Sequence, residues 1–99
     1  MNSVLRLPLC QKWFDMIRDG IKTEEYREIK PYYNKRFYSS DYQFQRHYDY
    51  VEFTLGYPAK DDKERTLRFK NPLILIGNGR PEWGAKIGKS YWVITWQKE

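Results

Sequence analysis

The chain is built from short segments in which apolar and polar residues alternate, joined by short connections. The clearest segment is residues 48–57, where Val51, Phe53 and Leu55 alternate with Tyr50, Glu52 and Thr54. A period of two is typical of a β-strand with one buried face. Most connections are too short for the crossovers that parallel strands need. The sequence therefore predicts a mainly β (α+β) fold: a small, mostly antiparallel β-barrel of about six strands with short helices.

Further strands are predicted from the same kind of pattern. They cover residues 3–9, 24–30, 66–69, 73–76 and 91–97. The run Leu-Ile-Leu-Ile at 73–76 is apolar throughout, which predicts either a strand buried on both faces or one that closes the barrel. The final segment places Trp92, Ile94 and Trp96 on one face, which indicates a core or helix-packing surface.

Two helical segments interrupt the predicted strands. In residues 10–19, Cys10, Trp13, Phe14 and Ile17 have the spacing of a helix with one buried stripe. Gly20 follows where a left-handed residue closes a helix. Residues 31–42 begin with a proline at a plausible first helical position. This aromatic segment either packs on one end of the barrel or forms a surface on which bases stack.

Length and charge limit the kinds of protein this can be. The chain has 99 residues, which predicts one domain over residues 1–99. Its formal net charge is +5 and its pI is about 9.3, with the basic excess spread along the chain. Such a distributed excess favours a polyanionic partner such as nucleic acid.

Cysteine and histidine are scarce. Cys10 is the only cysteine and His47 the only histidine, so no internal disulfide is possible and a closed zinc site is not expected. We expect a cytoplasmic protein, a monomer by default, with no metal and no cofactor. No apolar run reaches the length of a membrane span, and the first residues do not have the pattern of a signal peptide.

Residues 20–30 carry the densest group of candidate functional side chains. On a strand, Glu25, Arg27 and Ile29 share one face while Tyr26 lies on the other. Lys22 lies just upstream. If the Glu25–Arg27 face points into a concave surface, these charges form a compact polar site. If it points to water, they are an ordinary charged strand face.

A family resemblance rests on this stretch. Gly20, Lys22, Glu25 and Arg27 match the pattern G-x-K-x-x-E-x-R directly after the first helix. A strand–helix lead precedes it, and a Gly-Tyr-Pro break, a G-x-G-x-P-E-W-G-A loop and a closing YWVITW strand follow. Over nearly its full length the chain resembles an ASCH domain of the PUA-like superfamily, of the type found in bacteria and phages.

The resemblance implies a PUA-like β-barrel with helices at its ends. It implies a cleft, lined by the motif, that holds RNA or a modified nucleoside. Lys22, Glu25 and Arg27 would line that cleft. Some ASCH proteins are amidohydrolases that remove an acyl group from acetylated cytidine, and another is a ribonuclease. The amidohydrolases have a threonine nucleophile where this chain has Glu25, and Thr23 next to it would point to the opposite face of a strand.

Several functions remain open on these residues. The leading hypothesis is a module that binds RNA or a nucleoside through Lys22, Glu25 and Arg27, together with Tyr26 and Trp83. Trp83 lies in the glycine-rich loop, where it either stacks on a base or plugs the barrel. The alternative is a small hydrolase with Lys22 and Glu25 as acid and base. The resemblance to the amidohydrolases implies a further catalytic carboxylate in a later strand, for which Glu52 is the candidate. A structural Glu25–Arg27 ion pair and a protein-interaction module are the remaining interpretations.

Overall fold

In the part of the chain that the structure describes, the main elements are five strands and two α-helices. The computed structural model describes residues 3–41, 43–57 and 62–98. The strands are β1 (Val4–Leu9), β2 (Glu25–Arg27), β3 (Tyr50–Leu55), β4 (Thr66–Asn78) and β5 (Ser90–Gln97), and the helices are α1 (Gln11–Arg18) and α2 (Pro31–Phe37). Short 3₁₀ helices occupy Lys63–Arg65 and Pro81–Trp83. The fold is therefore α+β, as predicted.

The strands form one mostly antiparallel sheet in the order β1-β3-β4-β5-β2. This order ends at β1 on one side and at β2 on the other, so a closed barrel is not shown for residues 3–41, 43–57 and 62–98. The pair β1–β3 is parallel, with Leu5 opposite Val51 and Leu7 opposite Phe53. The prediction that the connections exclude parallel pairing is wrong for this pair, because α1, β2 and α2 all lie between its strands.

The chain divides into two compact units. The first contains Met1–Thr23, Tyr48–Pro72 and Trp96–Glu99, and the second contains Glu24–His47 and Leu73–Thr95. In the first unit, α1 packs against β1 and β3. Its core consists of alternate strand residues together with one helix stripe: Leu5, Leu7, Leu9, Val51, Phe53, Phe14 and Ile17, all 6% exposed or less. The period-two pattern of residues 3–9 is thereby confirmed. In residues 48–57 it holds for Val51 and Phe53 but not at the end of β3, where Thr54 is buried and Leu55 is half-buried.

The first helix is closed by the glycine that the sequence indicated. Gly20 has φ 77°, and its N–H donates to the carbonyl of Ile17. The N–H of Ile21 donates to the carbonyl of Met16, which completes a Schellman motif. At the other end, Cys10 is the N-cap residue and is exposed, so its predicted place in the buried stripe is wrong.

Strand β4 replaces two predicted strands. It runs without a break through the Asn71-Pro72 pair, where Asn71 adopts a left-handed φ of 51°. Asparagine tolerates this region better than most residues, so the strand continues where the sequence suggested a stop. The two-sided burial predicted for residues 73–76 is wrong. Ile74 is fully buried, but Leu73 and Leu75 are 51% and 52% exposed.

In the second unit, β5 pairs with the short strand β2. Glu25 lies opposite Ile94, Tyr26 opposite Val93 and Arg27 opposite Trp92. The predicted strand over residues 24–30 is therefore reduced to three residues. The helical turns predicted after residue 30 are confirmed as α2, which has proline at its first turn and buries Phe37. Tyr42, the last residue of the predicted aromatic segment, and Pro58, the last residue of the Gly-Tyr-Pro break, lie outside the described residues.

Candidate functional site

Glu25 and Arg27 form a buried ion pair on one face of β2. Their side chains are 7% and 13% exposed, and Arg27 Nη2 lies 2.9 Å from Glu25 Oε2. The two residues are two positions apart on a strand, so their side chains point the same way. The strand face predicted to carry them together is confirmed, and it does not point freely into water.

Helix α2 supplies the third member of this group. Arg27 Nη1 donates a hydrogen bond of 3.2 Å to the hydroxyl of Tyr33. The guanidinium carbon lies 5.8 Å from the centre of the Tyr33 ring, and Lys30 Nζ lies 5.4 Å from the same ring. Because Pro31 starts the helix, Tyr33 and Phe37 fall one turn apart on the same side, where their rings stack at 5.6 Å. The hydroxyl of Tyr33 was not predicted as part of the site, although this spacing was readable from the sequence.

Further aromatic rings lie on the same face of the sheet as the ion pair. Trp92 is 2% exposed and lies opposite Arg27 in the sheet register. Its ring stacks on Tyr38 at 5.0 Å and meets the edge of Phe37 at 5.9 Å. The indole N–H of Trp92 donates a 2.8 Å hydrogen bond to Asn34 Oδ1. The sequence-based assignment of Trp92 to the core is confirmed, and its contacts fix α2 against β5.

Stability alone does not account for a buried ion pair in an aromatic setting. Removing two charges from water costs several kcal/mol, and a buried pair often contributes no more to stability than apolar residues of similar size. What the pair provides is a guanidinium held in one orientation. A fixed planar fork beside aromatic rings is suited to a phosphate or to the polar edge of a base.

Lys22 belongs to the first unit and is also buried. Its exposed fraction is 1%, and its Nζ lies 5.0 Å from the centre of the Trp13 ring. The N–H of Lys22 donates to the carbonyl of Met16, so the end of α1 sets the backbone that carries the side chain. An ammonium group over an indole face is stabilised electrostatically. The acid–base pairing of Lys22 with Glu25 stays a prediction.

Glu52 lies among arginines on the first unit's sheet. Its carboxylate oxygens are 3.9 Å from Arg6 Nε and 3.7 Å from Arg68 Nε. It alternates along β3 with the buried residues Val51 and Phe53, so its side chain is on the face turned away from the core. The catalytic role proposed for Glu52 stays a prediction.

Tyr26 lies on the face of β2 opposite to Arg27. Its hydroxyl donates to Glu24 at 2.8 Å and accepts the backbone N–H of Arg80 at 2.9 Å. Gly79 passes so close to this ring that an added Cβ would lie 2.7 Å from a ring carbon of Tyr26. The Gly79 position thus requires glycine because of a close approach, and Tyr26 anchors the loop that the sequence marked as glycine-rich.

Trp83 ends the 3₁₀ helix in the same loop. Its side chain is half-buried, and the guanidinium carbon of Arg80 lies 5.1 Å from the centre of its ring. Gly84 follows in a left-handed conformation. Trp83 therefore presents one partly accessible ring with a cation beside it. Whether this ring stacks on a base or plugs a barrel stays open.

The burial of Tyr26 makes a pH-dependent prediction. Burial, together with the bond to Glu24, raises the pKa of the Tyr26 hydroxyl from 10.0 to about 12. The folded state therefore holds this proton more tightly than the unfolded state does, and its stabilisation is complete below pH 10. It is lost as the pH rises through about 12. We expect the difference in unfolding free energy between wild type and Tyr26→Phe, measured by urea denaturation, to shrink as the pH is raised from below 10 to about 12. A difference in unfolding free energy that stays constant over this pH range would contradict the raised pKa of Tyr26.

Neither a group of metal-ligating side chains nor a membrane-spanning helix is found in the described parts of the chain. Within residues 3–41, 43–57 and 62–98, no three His, Cys, Asp or Glu side chains are grouped as metal ligands would be. In the same ranges no helix combines the length and the apolar character needed to cross a bilayer. Comparisons of the chain with protein-family models, with curated proteins and with solved structures found no match.

Proposed function

We propose that the protein is an ASCH domain of the PUA-like superfamily that binds RNA or a nucleoside. The proposal includes a PUA-like barrel formed by its sheet. The motif of Gly20, Lys22, Glu25 and Arg27 supports it, as does the mostly antiparallel α+β fold. The observation that carries it is the buried Glu25–Arg27 pair, held at 2.9 Å on an aromatic face.

Each group in this site has a matching part in a nucleotide. The guanidinium of Arg27 can donate in parallel to a phosphate or to a base edge. The carboxylate of Glu25 can accept from an amino group of a base or from a ribose hydroxyl. The half-buried ring of Tyr33, which contacts Phe37, Arg27 and Lys30, adds an aromatic group against which a base packs. Such base–aromatic contacts are worth about 1–3 kcal/mol per base. Lys22 is the further residue that the resemblance assigns to binding.

The proposal is tested by ligand binding to wild type and to Arg27→Lys. The lysine keeps the charge and loses the planar fork. We expect a thermal-shift screen of nucleosides, nucleotides and short RNAs to find a ligand, and calorimetric titration to show about tenfold weaker binding for Arg27→Lys. Lys22→Ala should weaken binding as well. No ligand in the screen, or equal affinity for wild type and Arg27→Lys, would contradict the proposal.

Arg36→Lys is the matched control. Arg36 lies on α2 with its guanidinium 5.6 Å from the Tyr32 ring, but Tyr32 is 54% exposed. Arg36 copies the cation–ring geometry of Arg27 beside an exposed ring and has no part in the Glu25–Arg27 pair, so the affinity of Arg36→Lys should equal that of wild type. Turnover of an acylated nucleoside that Glu25→Gln abolishes would instead assign the protein to the hydrolases.

A further inference from the structure

The first unit has a second polar surface, on the side of its sheet that faces away from the core. The register places Arg6, Glu52 and Arg68 side by side across β1, β3 and β4. The neighbouring row contains Tyr50 and Lys70. Residues that alternate with these, such as Leu7 and Phe53, are fully buried. The cationic residues therefore lie on one flat outer face, which we call the outer face.

The outer face carries more positive than negative charge. In the two register rows of the described strands, Arg6, Arg68 and Lys70 share the face with Glu52. Glu52 lies between the two arginines at 3.9 Å and 3.7 Å, and the arginine side chains remain 37% and 39% exposed. Two strand spacings, roughly 9–10 Å, separate β1 from β4. The arginines are thus held apart and oriented by one carboxylate while remaining accessible to an anion.

Aromatic rings accompany these charges. The guanidinium carbon of Arg68 lies 3.9 Å from the centre of the Tyr50 ring. At the other end of the face, Tyr57 is 91% exposed and lines a hollow of about 290 Å³ together with Arg6, Pro8 and Thr54. The hollow is close in size to the smallest sites that bind small organic ligands, about 300 Å³. An exposed tyrosine above such a hollow is suited to stacking on a base.

We propose that the outer face binds single-stranded nucleic acid, with phosphates on Arg6, Arg68 and Lys70 and a base on Tyr57. Sheet faces that combine cations with exposed aromatic rings are suited to unpaired strands, whose bases are free to stack. The outer face belongs to the first unit and the Glu25–Arg27 pair to the second, and this proposal does not rest on that pair.

The test is the salt dependence of binding to a fluorescein-labelled oligouridylate, measured by anisotropy. Three phosphate contacts on a single strand predict a slope of about −2 in a plot of log affinity against log salt. Arg68→Gln/Lys70→Gln removes two of these contacts and should reduce the slope by about 1.4. The control Arg18→Gln/Lys98→Gln removes the same charge from exposed positions of the same unit and should leave the slope unchanged.

Tyr57 gives a second readout that charge does not affect. Tyr57→Ala should weaken binding at least about fivefold, whereas Tyr57→Phe keeps the ring and should bind like wild type. The proposal is overturned if both double variants change the slope equally, or if Tyr57→Ala binds like Tyr57→Phe. It is also overturned if vesicles of anionic lipid bind with the same dependence on Arg68 and Lys70.

The same probe separates this proposal from the function of the buried pair. If Arg27→Lys abolishes binding and the outer-face variants do not change it, the outer face has no role and the buried pair stands. If the outer-face variants lose binding while Arg27→Lys keeps its salt slope, the outer face binds the strand by itself.

Discussion

Arg27→Met is expected to lower the free energy of unfolding by about 3–5 kcal/mol. The Arg27 side chain is 13% exposed, and its guanidinium donates to both Glu25 and Tyr33. Methionine fills much of the same volume, so the loss comes from a buried carboxylate that no longer has its arginine. For a domain whose total stability is about 5–15 kcal/mol, this is a large fraction. Equilibrium unfolding in urea measures it directly.

Two further variants show whether burial is the cause. Glu25→Leu/Arg27→Met removes both charges and should regain much of the stability lost in Arg27→Met, because a buried pair is replaceable by apolar residues. Arg80→Met breaks the exposed pair with Glu82, where both side chains are at least 60% exposed, and should cost only about 0–1 kcal/mol. If Arg27→Met costs no more than Arg80→Met, the pair does not behave as a buried one.

Trp92→Ala is expected to cost about 3–5 kcal/mol of unfolding free energy. The ring is 2% exposed and contacts Phe37 and Tyr38, and its N–H donates to Asn34. The truncation leaves a cavity between β5 and α2, the helix that carries Tyr33. We therefore expect ligand affinity to fall together with stability in this variant.

Controls divide the effect of Trp92 into packing and hydrogen bonding. Trp92→Phe keeps a ring but leaves Asn34 Oδ1 without its donor, which costs about 1–3 kcal/mol. Trp83→Ala removes the same side chain from a half-buried turn and should cost much less. Equal losses for Trp83→Ala and Trp92→Ala in urea unfolding would contradict the role of Trp92 in holding α2.

The local features of the fold were predictable because they follow from short-range rules. Alternation of apolar and polar residues predicted the buried residues of β1 and of the first half of β3. The glycine after α1 predicted the end of that helix. Alternation also placed Glu25 and Arg27 on one face of β2. In each case a few neighbouring residues determine the geometry, so no knowledge of distant partners is needed.

Other features depend on partners that are far away in the sequence. The parallel pairing of β1 with β3 joins segments separated by two helices, and no local pattern specifies it. The exposure of Leu73 and Leu75 was missed because an apolar run shows that a strand is favourable, not that both of its faces are covered. The hydrogen bond from Arg27 to Tyr33 likewise depends on how α2 meets β2.

The central claim is that the Glu25–Arg27 pair on its aromatic face binds a nucleoside or RNA. Side-chain NMR signals of the Arg27 guanidinium and the Trp92 indole N–H report on this face directly. Titration with nucleosides, nucleotides and short RNAs should shift both signals saturably with at least one ligand. In Arg27→Lys the midpoint of the shift at Trp92 should move to about tenfold higher ligand concentration. Signals that do not move with any of these ligands, or saturable shifts confined to residues away from this face, would contradict the claim.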